Sequence, residues 1–421
     1  MAQVDVKLCE VRQLIPENIT HLLPVSELDR ASLFLLQETQ DTLLKCRQPD
    51  KALKTVEYVL EMTWEDLNTG HWKNIPVATR QLYSAAVLIK IDALLCQCEH
   101  KADDRLNLLH TAMKTADLGL LLGAPFGDIC MTKIAGLLSD ILSLLSSGIK
   151  PQEGEVHVTN NIKQNTDKAY DIPGIKGQLL NVLEKPSLEG FRTAYFSPQI
   201  PVKLTGCMSH WPALHLWEDI NYLKRVAGTR TVPIELGVHY THPEWSQKLM
   251  TIGEFIETHI ASQTGESKCV GYLAQHPLFE QVPELRKDIF EPEYCCLSDN
   301  LDDETTTEET DINAWFGPKG TVSPIHHDPK HNLLTQVVGE KRILLYHPDD
   351  SEKLYPHEGS LLSNTAQVDP ENPDYDTFPL FKDAKAWECH LRQGEMLYIP
   401  PKWWHHVRSL SLSFSVSFWW T

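Results

Sequence analysis

Residues 149–174 read IKPQEGEVHVTNNIKQNTDKAYDIPG, and the hydrophobic period on one side of them differs from that on the other. From about residue 30 to 147, apolar residues recur every three or four positions, as in Leu53, Val56, Leu60 and Trp64, and again in Leu137, Leu138, Ile141, Leu142 and Leu145. That is the period of an amphipathic helix. The run Asp117 to Gly123, followed by Ala124 and Pro125, supplies the Gly and Pro that close one. Five or six helices packed as hairpins follow, resembling a tetratricopeptide-like array without a strict repeat consensus. Beyond the polar stretch the apolar runs are short and β-rich, at Arg342–Tyr346, Glu395–Ile399 and Ser411–Phe418, with turn residues between them. The last alternates perfectly and predicts a strand; the set predicts a sandwich or barrel. The expected class is therefore α+β, with a helical domain over 1–148, a linker over 149–174 and a β-rich domain over 175–421.

A chain of 421 residues with 42% apolar content can bury a core in each part. Lys plus Arg number 38 against 57 Asp plus Glu, a formal charge of −19. This balance repels nucleic acid and anionic membrane and suits a basic protein substrate. The ten cysteines are scattered, with neither zinc-ribbon pairs nor a disulfide framework, a pattern of reducing compartments. The start, MAQVDVKLCEVRQL, is not a signal peptide pattern, and no run of about 18 apolar residues occurs, so an intracellular protein without a membrane span is expected. Asp299 to Asp311 (DNLDDETTTEETD) is acidic, lacks an apolar anchor and reads as a solvated loop. No strong Lys/Arg cluster directs nuclear import, so the residues alone leave nucleus and cytoplasm both open.

The stretch TVSPIHHDPKHN, Thr321 to Asn332, offers three histidines and an aspartate. On a strand, side chains alternate faces, so His326 and Asp328 can meet at one ion while His327 faces away. HxD alone is weak, because His347-Pro-Asp349 repeats it and His242-Pro-Glu244 comes close. Two histidines and one carboxylate leave coordination positions open, which suits non-haem Fe(II) better than a closed structural zinc site. The third ligand must come from downstream, where Gly394-Glu-Met-Leu-Tyr-Ile-Pro-Pro-Lys-Trp-Trp-His-His-Val407 offers His405 and His406.

The pattern G-E-x-L-Y-I-P-x-x-W-x-H-x-V, with its histidine 79 positions after His326, resembles the Jumonji C class of cupin-fold 2-oxoglutarate oxygenases. The resemblance extends to GYLAQH (271–276), INAWFGPKGTVSPIHHDP (312–329), LYPH (354–357) and SLSFSVSFWW (411–420), strongly from about Ile172 to the end and loosely before it. It implies a double-stranded β-helix and selects His405 over His406. His326, Asp328 and His405 are then the Fe(II) ligands and the catalytic residues. Asn332 and Lys341, at +6 and +15 from His326, stand at the places of the co-substrate pocket, and neither competing triplet carries that pair. With them the resemblance puts Tyr272, Ser323 and Trp419 around 2-oxoglutarate, and dioxygen as the last reactant. Glu235, Tyr240, Trp245, Gln275 and Trp315, with Trp419 bordering both pockets, are implied to receive a basic side chain. His327 stands where that class leads us to expect glutamine, and the acidic 299–311 loop looks longer.

The implied activity is hydroxylation of a protein arginine, at C3. The alternatives are demethylation of N-methyl-lysine on histone tails, endopeptidase activity on such tails, and a non-catalytic cupin scaffold whose helical half recruits a protein partner. By resemblance, histone demethylases of this class carry Glu where this chain has Asp328, which favours hydroxylation. The sequence holds no H-E-x-x-H helix and no G-x-S-x-G elbow for peptidase chemistry. Resemblance also implies a nuclear, chromatin-related location.

Overall fold

The computed structural model describes residues 2–69, 74–147, 174–261, 270–299, 309–359 and 362–421. The expected linker, apart from Gly174, and residues 300–308 of the acidic stretch lie outside them. The chain divides into two compact units, Met1–His157 with Ala227–Thr231, and Val158–Val226 with Val232–Thr421.

Among its described residues the first unit holds six α-helices: α1 (Ala2–Gln13), α2 (Arg30–Leu44), α3 (Pro49–Leu67), α4 (Val77–His100), α5 (Arg105–Leu122) and α6 (Met131–Ser147). Helix α1 lies ahead of the expected helical region, and its Val4, Leu8 and Val11 are buried at helical spacing. Asp29 caps α2 by accepting from the N–H groups of Ala31 and Ser32, and Pro49 opens α3 where its missing donor costs nothing. From α2 to α6 each helix packs on the next, but α1 packs on α6. Helix α4 is long and apolar enough to cross a membrane, yet most of it is buried between α3 and α5. Trp64, placed on the apolar stripe by its spacing, is 43% exposed. Gly123 ends α5 without a left-handed φ; a Cβ there would meet Ser84 Oγ at 2.0 Å, so close approach is what requires glycine.

One segment from far along the chain belongs to this unit. Arg230, 1% exposed, donates from Nε and Nη2 to Asp117 Oδ1 at 3.0 and 2.7 Å, and the Thr231 N–H donates to Asp117 Oδ2 at 2.6 Å. A buried charge persists only when paired in this way. A boundary drawn at 149–174 alone does not anticipate it.

The described strands of the second unit form two sheets. Its strands are β1 (Gln178–Leu179), β2 (Val182–Glu184), β3 (Val202–Thr205), β4 (Thr231–Leu236), β5 (Ser246–Thr251), β6 (Gly271–His276), β7 (Asp311–Gly317), β8 (Val322–His326), β9 (His331–Val338), β10 (Glu340–Tyr346), β11 (Ala386–Arg392), β12 (Met396–Ile399), β13 (Trp404–Ser409) and β14 (Ser413–Trp420). One sheet runs β1-β11-β10-β13-β8 and the other β2-β3-β12-β9-β14-β7-β6-β4-β5. With the helical first half this is the α+β arrangement expected. The β9–β10 turn needs Gly339, whose φ is +78° and whose Cβ would fall 1.9 Å from Leu412 O.

The alternation of β14 has an unexpected meaning. Both of its faces are buried, so the serines do not face water. Phe414 packs on Trp217 and Phe316, whereas Ser413, Ser415 and Ser417 form hydrogen bonds with Gln336 and Trp315. One face is core and the other is a polar interior leading to the site.

Candidate active site

Strand pairing brings the two histidine regions together. His326 ends β8 and pairs with His405 of β13 in an antiparallel register, with ring centroids 4.2 Å apart. The chain then leaves the strand under two restraints. The His327 N–H donates to Asn364 O at 3.0 Å while Asn364 Nδ2 donates to His327 O at 3.1 Å, and the Lys402 N–H donates to Asp328 O at 2.8 Å. Asp328 Oδ2 is thereby brought 3.6 Å from His405 Nε2, too far for a hydrogen bond. Ligand atoms of His326, Asp328 and His405 all lie within 4.8 Å of one another.

The ring orientations follow from the backbone. His326 Nδ1 is 2.8 Å from Pro324 O and His405 Nδ1 is 3.1 Å from Trp403 O. A carbonyl only accepts, so each Nδ1 carries the proton and each Nε2 presents a lone pair. Burial holds His405 well below the usual histidine range and pushes the Asp328 carboxyl up. Asp328 Oδ2 is buried with no hydrogen-bond partner among the described residues. Two lone pairs and a buried carboxyl oxygen facing one point, with no hydrogen bond between them, fit a divalent cation. His327 is turned against Trp404, ring centroids 4.6 Å apart, and His406 belongs to a different cluster with Asp369 and Glu371.

Beside this cluster lies a cavity lined by Tyr272, Trp315, Ser323, Asn332, Lys341 and Trp419, with Leu334, Ile399 and Val407 as an apolar wall. Lys341, on β10, is 1% exposed, and its Nζ donates to Tyr272 Oη at 3.3 Å. Rings of Tyr272 and Trp315 stand 5.7 and 6.0 Å from the amine, but no carboxylate among the described residues pairs with it. Burial lowers its pKa to about 7. Asn332 and Trp419 are register partners on β9 and β14, and Asn332 Oδ1 and Trp419 Nε1 are buried without partners among the described residues. A buried amine and unpartnered polar atoms make a cavity suited to a small carboxylate-bearing ligand next to the cation. The residues therefore fit both iron and 2-oxoglutarate.

The residues expected to receive substrate are less uniformly placed. Trp315 lines the cavity and donates from Nε1 to Ser417 Oγ at 2.9 Å. Glu235 is the register partner of Tyr272 across β4 and β6, and burial pushes its carboxyl up. Tyr240 sets its ring edge-on to His326 at 6.5 Å; burial, with the nearby charges of Asp328 and Glu235, pushes its phenol up to about 12. Trp245 precedes β5 and is half-buried, and Gln275 is exposed. Neither lines the cavity. Gln275 has φ +44° where β6 is irregular between Leu273 and His276, a strained backbone of the kind concentrated at functional sites. Sequence reasoning missed Thr365, 1% exposed, which forms a bridge to His326 and a 3.1 Å hydroxyl hydrogen bond with Tyr240. It also missed Asn364. Both sit in an irregular segment with no period or motif to mark them.

A family model described as a cupin-like domain matches residues 188–421. Lysine-specific demethylase 8 of Danio rerio is 41% identical over 416 residues, covering 98% of this chain and 98% of that protein. Jumonji C domain-containing protein 5 of Drosophila melanogaster is 39% identical over 429 residues, covering 99% and 100%. Lysine-specific demethylase JMJ30 of Arabidopsis thaliana is 36% identical over 382 residues, covering 87% and 85%.

Proposed function

The chain belongs to the cupin-like Jumonji C family of Fe(II)- and 2-oxoglutarate-dependent oxygenases, and from that premise we propose that it hydroxylates arginine side chains, at C3, in basic proteins. His326 and His405 hold the iron through Nε2 and Asp328 through its carboxylate. Lys341, with Tyr272, takes the far carboxylate of 2-oxoglutarate, and Ser323, Asn332 and Trp419 offer it further polar contacts. When bound, iron, 2-oxoglutarate and dioxygen together supply oxidation of an unactivated C–H bond, with decarboxylation of 2-oxoglutarate to succinate. Leu334, Ile399 and Val407 keep bulk water from the cavity.

The observation that carries the arginine reading is Glu235. Its carboxyl is raised by burial, and no basic residue among the described residues forms an ion pair with it. A guanidinium entering beside it satisfies that charge, and Tyr240, Trp245 and Trp315 offer aromatic faces, at about 0.5–2 kcal/mol for each good contact. Gln275 adds an adaptable amide at the rim. Fixing the guanidinium there leaves the side-chain methylenes nearest the iron ligands. The formal charge of −19 favours basic partners, histone tails among them. The second reading, N-methyl-lysine demethylation, is favoured by the names of the Danio and Arabidopsis relatives. Those names also support a chromatin-related, nuclear role. We assign the helical region, 1–148, to contact with a protein partner, 149–174 to a linker and 175–421 to catalysis.

Glu235→Gln tests the arginine reading. It should lose peptide oxidation far more than peptide-independent succinate formation, because only the substrate needs that charge. Equal loss of both, or loss of neither, removes Glu235 from substrate recognition.

A further inference from the structure

His406 and His405 are neighbours on β13 and point to opposite faces. On its own face, His406 lines a cleft together with His239, Asp369, Glu371 and Arg408. Its imidazole is 2% exposed and makes no hydrogen bond among the described residues. An imidazole that borders a cleft without a hydrogen-bond partner among the described residues keeps a ring nitrogen available to a ligand. The two carboxylates beside it are already oriented. Arg408 donates from Nε and Nη2 to the two oxygens of Glu371, and Asp369 Oδ1 accepts from the Glu371 N–H at 2.9 Å. Each donor occupies one lone pair, so Glu371 retains acceptor capacity and Asp369 Oδ2 stays available. Such outer contacts are what hold ligating carboxylates in known metal sites.

We propose that His406, Asp369 and Glu371 form a second cation site, separate from the iron ligands, for a divalent transition-metal ion of the zinc type. One ligand atom from each residue lies within 4.8 Å of the others. Two carboxylates against the Arg408 guanidinium leave one net negative charge, which attracts a dication without demanding a higher one. An imidazole in the set disfavours Mg2+ and Ca2+, which take oxygen donors. Three protein ligands leave a position towards the cleft, where His239, hydrogen-bonded to Thr241 at 2.8 Å, supplies a further ring. The inference is independent of the arginine reading, because none of these residues lines the 2-oxoglutarate cavity.

The test uses the full chain, stripped with chelator and dialysed against Zn2+ in competition with a chelating indicator, with bound metal counted by mass spectrometry. Asp328→Ala disables the iron site, so the ion remaining in that variant is the second one. Adding Asp369→Ala should remove one further equivalent, and Asp369 is exposed enough for its loss to spare folding. X-ray absorption of the remaining zinc should show nitrogen and oxygen neighbours without sulphur. Asp369→Ala alone should retain 2-oxoglutarate turnover with Fe(II). An unchanged zinc count on adding Asp369→Ala, a sulphur-ligated ion, or no ion beyond the one lost with Asp328→Ala each overturns the proposal.

Discussion

Lys341 is the residue where one side chain's environment has the clearest consequence. Its amine is buried, its pKa is lowered to about 7, and no carboxylate among the described residues pairs with it, so in the proposed site its partner is the ligand's carboxylate. Lys341→Ala should weaken 2-oxoglutarate binding by roughly 3–5 kcal/mol, since the ligand carboxylate would be desolvated without a cation. The pH dependence has a definite sign. Only the ammonium pairs with a carboxylate, so above about pH 7 the empty pocket holds a neutral amine and binding must take up a proton. Affinity should therefore be flat below about 7 and fall by roughly tenfold per pH unit above it, until the ligand-bound pKa is reached. Titrating 2-oxoglutarate across this range checks both, and unchanged affinity in Lys341→Ala would remove the residue from the pocket. At this scale much was legible: the resemblance, through the places at +6 and +15 from His326, singled out Asn332 and Lys341, and both line the cavity. Thr365 was not, because its contact with His326 is made by an irregular loop rather than by position along a strand.

Among the elements, β8 and β13 bring the proposed metal ligands together through their register. Pairing His326 with His405 puts both Nε2 lone pairs at one point, and alternation sends His406 to the opposite face. His326→Ala, Asp328→Ala and His405→Ala should each abolish 2-oxoglutarate turnover while the fold persists, whereas His327→Ala and His406→Ala should remain active. Succinate formation, with circular dichroism as the folding control, checks the set. Activity in His405→Ala with loss in His406→Ala would mean that the opposite face of β13 serves the iron. Period-two alternation was readable in Ser411–Phe418, but not that both faces are buried; Gln336 and Trp315 meet the serines and Trp211 and Trp217 pack over the phenylalanines, contacts set by residues far away in sequence. Likewise α1 has helical spacing in Val4, Leu8 and Val11, too short a pattern to stand out before its packing on α6 is seen.

For the whole molecule, the change of hydrophobic period marked the passage from helices to sheets. It could not reveal that Arg230 and Thr231 are held by Asp117, since an ion pair between residues 113 apart leaves no local pattern. No proposed ligand lies in the helical half, so a fragment beginning near Ile172 should still turn over 2-oxoglutarate; a fragment that folds, binds iron and is inert would show that the division is functionally wrong. The choice of substrate rests on the site as a unit, because one pocket depth cannot put both an arginine methylene and a methyl-lysine methyl group beside the iron ligands. Mass spectrometry of arginine and methyl-lysine peptides incubated with the full chain, Fe(II), ascorbate and 2-oxoglutarate decides it. The account predicts one added oxygen on an arginine, with succinate and without formaldehyde. Formaldehyde released in step with succinate from the methyl-lysine peptide, with the arginine peptide unchanged, would contradict it.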